Sequence, residues 1–195
     1  MAEVERLAEA QLYVASRQGI LGIQCGVGEP EVYPFALHGR FVRCLLADAK
    51  GVLVAAGTRG RGVSWTVDGG RTWREAAGVA APEVRALASS GGRLYAGTSP
   101  AGLHVSEDGG SSFRRLEGLE GPWTGGWAAP GTAGTEDEPR VADLLARPSE
   151  LLVAVNSGGV LRSLDGGHTF RDVTHDLPPS VLALAAPSPD GAVFA

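Results

Sequence analysis

Three stretches of the chain share one pattern: Thr66-Val67-Asp68-Gly69-Gly70-Arg71-Thr72-Trp73, Ser106-Glu107-Asp108-Gly109-Gly110-Ser111-Ser112-Phe113, and Ser163-Leu164-Asp165-Gly166-Gly167-His168-Thr169-Phe170. All three fit Ser/Thr-x-Asp-Gly-Gly-x-Ser/Thr-Trp/Phe, and three matches at the same fixed positions are very unlikely by chance. A repeat of this kind sets the architecture before any local reading does. The flanks repeat with it. About 24 residues before each aspartate lies a Val-x-x-Leu-Leu/Ala run: Val42 to Leu46, Val84 to Ala88 and Val141 to Leu145. A further copy, Val181 to Ala185, has no box after it. Between run and box comes a second apolar stretch, Val52 to Thr58, Leu94 to Thr98 and Leu151 to Asn156, and Leu12 to Ser16 is of the same kind.

Each unit of about 40 residues thus holds four short apolar or alternating runs separated by turn residues. Such runs bounded by Gly, Pro, Asn and Asp predict strands, and no segment has the periodicity of a long amphipathic helix. Four strands per unit of that length predict a blade of an all-β, propeller-like fold. The strands are A to D from the channel outward, with the Val-x-x-Leu run as A and the box as the C–D turn. The expected blades lie at about 12–38, 40–76, 83–117, 140–174 and 181–195, after a lead-in over 1–11. Asp68 to Asp108 spans 40 residues and Asp108 to Asp165 spans 57, which marks an insertion at 117–139. The first unit supplies strands B, C and D, with a degenerate box around Cys25 and Gly26. The last supplies A and the start of B. About four and a half blades are too few for a ring of usual size, so the expectation is a fragment of a longer propeller, or one closed by a second copy.

The box has an architectural reading. The aspartate accepts hydrogen bonds from turn N–H groups, and the glycines take up positive φ. The hydroxyl of Thr72, Ser112 or Thr169 bonds back across the turn, and the ring of Trp73, Phe113 or Phe170 packs inward. Gly70, Gly110 and Gly167 complete the three turns, which open on Thr66, Ser106 and Ser163.

These octapeptides resemble the Asp-box, or BNR repeat, of sialidases, sortilin-type receptors, some endoglucanases and a photosystem II assembly factor. The resemblance covers about residues 12 to 195, and the unit sequences are most similar to bacterial "glycosyl hydrolase-like" propellers without an assigned activity. It implies the fold. The boxes occur in enzymes and non-enzymes alike, so it does not choose a function.

Composition narrows the field. The chain has 195 residues with a net charge of -5, 44% hydrophobic and 20% charged residues. That is too apolar for a disordered chain, and no apolar run is long enough for a membrane helix. The acidic balance argues against a nucleic-acid partner. Glycine is abundant, at 29 residues, but follows no three-residue period, which excludes collagen. The first ten residues hold three glutamates and no apolar stretch, unlike a secretory signal. Cys25 and Cys44 read as small core residues in a reducing, cytoplasmic setting. No second Cys or His stands at metal-ligand spacing, and no cofactor is expected.

In this topology the B–C loops and D-to-A connections share the face opposite the boxes, where sialidases hold their active site. Arg17, Arg59 and Arg61 lie in B–C loops, and Arg43 and Arg85 each follow the first valine of a strand A. Together they form a candidate anion site, since guanidinium forks bind oxyanions in bidentate fashion. The insertion adds Trp123 and Trp127, which can stack on a sugar ring or peptide or can cover blade edges, and the acidic run Glu136 to Glu138 reads as solvated loop. His38, His104, His168 and His175 share no spacing and read as surface or turn residues. The expected function is a non-catalytic binding or scaffold module with a protein or carbohydrate ligand and a tendency to self-associate through open edges. The alternatives are a glycoside hydrolase of sialidase or endoglucanase type and an assembly factor for a larger complex. For an enzyme, the acidic candidates near the mouth are Asp48, Glu83 and Asp143.

Overall fold

The structure is a computed structural model that describes residues 11–24, 29–48, 52–120, 138–175, 177, 180–186 and 193. Four antiparallel sheets follow one another along the described chain. The first holds β1 (Gln11–Ser16), β2 (Gly19–Gln24) and β3 (Glu31–Ala36) in that order. The second holds β4 (Val42–Ala47), β5 (Leu53–Thr58), β6 (Val63–Trp65) and β7 (Arg74–Glu75). The third holds β8 (Glu83–Ser90), β9 (Arg93–Ser99), β10 (Leu103–Ser106) and β11 (Arg114–Leu116). The fourth holds β12 (Arg140–Arg147), β13 (Glu150–Asn156), β14 (Gly159–Ser163) and β15 (Arg171–Asp172). Each is a meander in which every strand pairs with the next in sequence. The Val-x-x-Leu runs are the first strands of the second, third and fourth sheets, and the Asp-Gly-Gly turns join the third strand to the fourth.

The sheets stack through their faces. Four apolar clusters hold the stack, three of them at the successive junctions. Ile20, Ala36 and Val42 mark the first, Ala55, Val63, Val84 and Ala96 the second, and Leu103, Val141, Val153 and Leu161 the third. The second strands lie between two neighbours, which explains their unbroken apolar character. Leu151 to Asn156 is buried at every position. Each fully buried Val or Leu contributes about 1.5–3 kcal/mol. The aromatic residue of each box enters one cluster: Trp73 the first, Phe113 the second and Phe170 the third.

The box turns also tether neighbouring sheets. Ala77, just past β7, pairs in parallel with Ser112 of the next box: the Ala77 N–H donates to the Ser111 carbonyl at 3.0 Å, and the Phe113 N–H donates to the Ala77 carbonyl at 2.9 Å.

Two expectations are corrected here. Val181 to Ala186 is not a laddered strand; it makes one isolated bridge, at Ala185. It is held from the side instead. Val181 is buried with Leu152, Ala154 and Val160, and the Leu184 N–H donates to the Asp143 carboxylate at 2.8 Å. His104 is not a surface residue but lies buried within β10. Cys44 is half-buried beside the second cluster, and desolvation pushes its thiol up to about 12. Cys25, residues 1–10 and the end of the last unit lie outside the described residues, apart from Val193.

Candidate functional site

Strand direction sorts the loops onto two ends of the stack. One end carries the Asp-Gly-Gly turns and the hairpins after β4, β8 and β12. The other carries the β1–β2, β5–β6 and β9–β10 connections and the starts of β4, β8 and β12. A cleft of about 730 Å³ opens at this second end, lined by Arg17, Phe41, Arg43, Arg59, Glu83, Arg85, Glu138 and Arg140, with Pro82, Ser99 and Pro100.

Two local features aim these side chains. Val42, Val84 and Val141 are buried at 2%, 0% and 0% exposure, so each anchors the start of its strand in a sheet junction. The residues immediately before them, Phe41, Glu83 and Arg140, then face the cleft. Immediately after them the register slips, between Val42 and Cys44, between Val84 and Ala86, and between Val141 and Asp143. Each slip is a β-bulge, which takes one residue out of the ladder and re-aims its side chain. The bulged residues are Arg43, Arg85 and Ala142. The two arginines reach the cleft because of the bulge, which a regular strand would have spread along one sheet face.

Glu83 links the two. Its carboxylate accepts from Arg43 Nε at 2.6 Å through one oxygen and from Arg85 Nη1 at 2.7 Å through the other. All three side chains are partly sheltered, Glu83 the most at 13% exposure. Arg85 Nε is buried with no hydrogen-bond partner among the described residues. Phe41 gathers a different set: the guanidinium carbons of Arg43, Arg17 and Arg59 stand 5.2, 5.6 and 5.9 Å from its ring centre, within cation–π range. The chain around them is fixed by backbone bonds, with the Arg59 N–H donating to the Phe41 carbonyl at 2.9 Å and the Gly60 N–H to the Pro82 carbonyl at 2.6 Å.

Of the residues singled out in the sequence, the structure brings Arg17, Arg43, Arg59 and Arg85 together. Arg61 points elsewhere and pairs with Glu75 at 3.2 Å, beside Arg40 at 3.0 Å. Trp123 and Trp127 lie outside the described residues. Phe41 and Arg140 were not picked out, and Glu138, read in the sequence as part of a solvated acidic run, lines the cleft. The signal that could have found Phe41 and Arg140 is their place directly before the repeated valine.

The acidic candidates are committed elsewhere. Asp48 accepts from the Val52 N–H at 2.9 Å in a hairpin at the opposite end. Asp143 accepts from the Leu144 and Leu184 N–H groups, both at 2.8 Å. Glu83 is held by arginines.

The Asp-Gly-Gly turns stand at the far end, each closed by one network. Asp68 accepts from the Thr72 N–H at 2.9 Å and the Thr72 hydroxyl at 2.6 Å, while Thr66 donates to it at 2.8 Å. The same bonds recur at Asp108 with Ser112 and Ser106, and at Asp165 with Thr169 and Ser163. Hydrogen bonds to the ionised form hold the Asp68 and Asp108 carboxyls down to about 2, and Asp165 is lowered further in the same way. These aspartates are bound into their turns at the end away from the cleft. No cluster of three or more metal-ligating side chains occurs among the described residues.

No protein-family model matches the chain, and no curated protein matches it. Solved structures do. The extracellular domain of the one-component system BT4673 of B. thetaiotaomicron aligns with a TM-score of 0.60 at 10% identity, over 94% of this chain and 25% of that one. A structure of the same domain described as part of a hybrid two-component system aligns at 0.56 and 11%, over 89% of this chain and 22% of that one. This is a β-propeller fold. At a TM-score of 0.45, the Niastella koreensis GH74 enzyme is 17% identical over 83% of this chain and 23% of that one. The chain spans about a quarter of the length of these propeller neighbours. Among the described residues, no helix is long and apolar enough to cross a membrane.

Proposed function

We propose that this chain is a non-catalytic binding module of the Asp-box (BNR-repeat) propeller type, a portion of a larger ring, and that its cleft receives an anionic ligand. One observation carries the reading: five arginines from four successive sheets line a single cleft against two glutamates. Two of these cations, Arg17 and Arg59, have no carboxylate partner among the described residues, and a ligand oxyanion would supply one. The three box turns support the Asp-box assignment, since each aspartate is engaged by its own turn.

The glycoside hydrolase alternative requires two carboxylates about 5–10 Å apart and free to exchange protons or attack a sugar. Glu83 and Asp143, the nearest candidates, are bound to arginines and to backbone N–H groups.

Titration with inorganic pyrophosphate at low ionic strength, followed by amide NMR shifts, tests the proposal. The expected result is saturable shifts at Arg59, Glu83 and Ser99 that weaken steeply with added salt. Shifts confined to the Asp-Gly-Gly turns, or none, would overturn it.

A further inference from the structure

The arginines of the cleft are not equivalent. We infer that Arg17 and Arg59, seated on the ring of Phe41, are the pair that takes the ligand's oxyanion, while Arg43 and Arg85 are tied off by Glu83. This assignment rests on the reading of the cleft as a binding site.

Charge separates the two pairs. Glu83 gives one oxygen to Arg43 and the other to Arg85, at 2.6 and 2.7 Å, so those two cations already share an anion. Ion pairing and not burial sets them apart, since Arg43 is itself an exposed residue. Arg17 and Arg59 are exposed and have no carboxylate partner among the described residues. Among the described residues, their guanidinium groups meet the Phe41 ring. A guanidinium that meets a ring and no carboxylate keeps its N–H donors uncommitted, and two such groups around one ring suit an oxyanion.

The supports are rigid, which is what a preformed site requires. Arg17 sits in the tight β1–β2 turn, where the Ser16 hydroxyl donates to the Gly19 carbonyl at 2.8 Å and the Gly39 N–H donates to the Gln18 carbonyl at 2.9 Å. Arg59 opens the β5–β6 loop, which the buried Thr58 hydroxyl braces by donating to the Gly62 carbonyl at 2.8 Å. The two arginines come from adjacent sheets, and Phe41 lies on the connection between those sheets. The cleft, at about 730 Å³, admits far more than a bare ion. The cleft leaves room for a phosphate, sulfate or carboxylate group carried on a larger ligand.

The test measures dissociation constants by calorimetry with two probes, pyrophosphate and citrate, which separate phosphate from carboxylate preference. Arg17→Gln and Arg59→Gln should each weaken the preferred probe about tenfold or more, the usual consequence of losing a charge-assisted bond. Glu83→Gln should tighten it, because two guanidinium groups are released toward the cleft. Arg71→Gln, at the opposite end, should change it less than twofold and controls for net charge. Weaker binding in Glu83→Gln would overturn the assignment, because it would mean that Glu83 presents Arg43 and Arg85 to the ligand. So would unchanged affinity in Arg17→Gln and Arg59→Gln. If the unsubstituted chain binds neither probe, the binding-site reading itself fails. If Glu83→Gln does not fold, the Arg17→Gln and Arg59→Gln affinities, compared with Arg43→Gln, carry the test: the first two should fall about tenfold or more and Arg43→Gln less than about threefold, and the reverse order would overturn the assignment.

Discussion

Val141 fills the space that Gly97 leaves empty. A Cβ at Gly97 would collide with the Val141 side chain, and one at the matching Gly57 would collide with Cys44 Sγ and meet Val84 Cγ1 at 2.7 Å. Both glycines stand in an Ala-Gly-Thr run in the second strand of a sheet, and both valines open the next sheet. The short spacing between successive propeller sheets is built on this pairing of glycine with valine.

Gly97→Ala should therefore destabilise the fold by about 1–3 kcal/mol, the usual cost of forcing a methyl into a closed junction. Urea denaturation would measure it. Adding Val141→Ala should recover part of the loss, and the double variant then reports the coupling between the two positions.

The hydroxyls that open the boxes, at Thr66, Ser106 and Ser163, are buried, and their loss strands backbone donors. Ser106 is 1% exposed and accepts from the Gly110 N–H at 2.9 Å while donating to Asp108. Ser106→Ala should cost about 1–3 kcal/mol, and Ser163→Ala should cost a similar amount. Thermal unfolding compared with an exposed Ser-to-Ala variant, such as Ser149→Ala, checks this.

Acid should reach the box turns late. Their aspartates are ionised in the folded protein down to about 2 at Asp68 and Asp108, below the ordinary carboxyl range of about 4. A folded-state value below the unfolded one means that the stabilisation is complete above the unfolded value. It is lost as the pH falls through the folded one, so the window is roughly pH 4 to 2. Carboxyl-carbon NMR should place both midpoints near 2, and Thr72→Val should move that of Asp68 upward.

His104 gives the opposite end of the acid range. Burial, followed by the neighbouring Arg115 charge, holds its imidazole below the ordinary histidine value. The folded state therefore binds its proton less readily than the unfolded chain. Stability is complete above about pH 6.5 and declines as the pH falls below it. The melting temperature should drop between pH 7 and pH 5, and His104→Gln should flatten that slope.

The repeat made much of this legible before any coordinates. The spacing of Val42, Val84 and Val141 located the first strands, and the Asp-Gly-Gly turns located the hairpins. The clustering of Arg17, Arg43, Arg59 and Arg85 also followed from topology. The division of labour among them did not, because it depends on which residue a bulge turns outward and on which carboxylate lies within reach. Glu83 read as a weak acid candidate and is an ion-pair partner. Arg61, two residues from Arg59, read as its equal and pairs with Glu75 instead. His104 looked like any isolated histidine, since burial in β10 depends on the neighbouring sheet and leaves no mark in its local sequence.

The most direct test is a crystal structure of this chain soaked with selenate, with the anion located by its anomalous scattering. The account predicts a strong peak in the cleft between the guanidinium groups of Arg17 and Arg59, beside the Phe41 ring. An empty cleft, with selenate bound only at the Asp-Gly-Gly end, would contradict it.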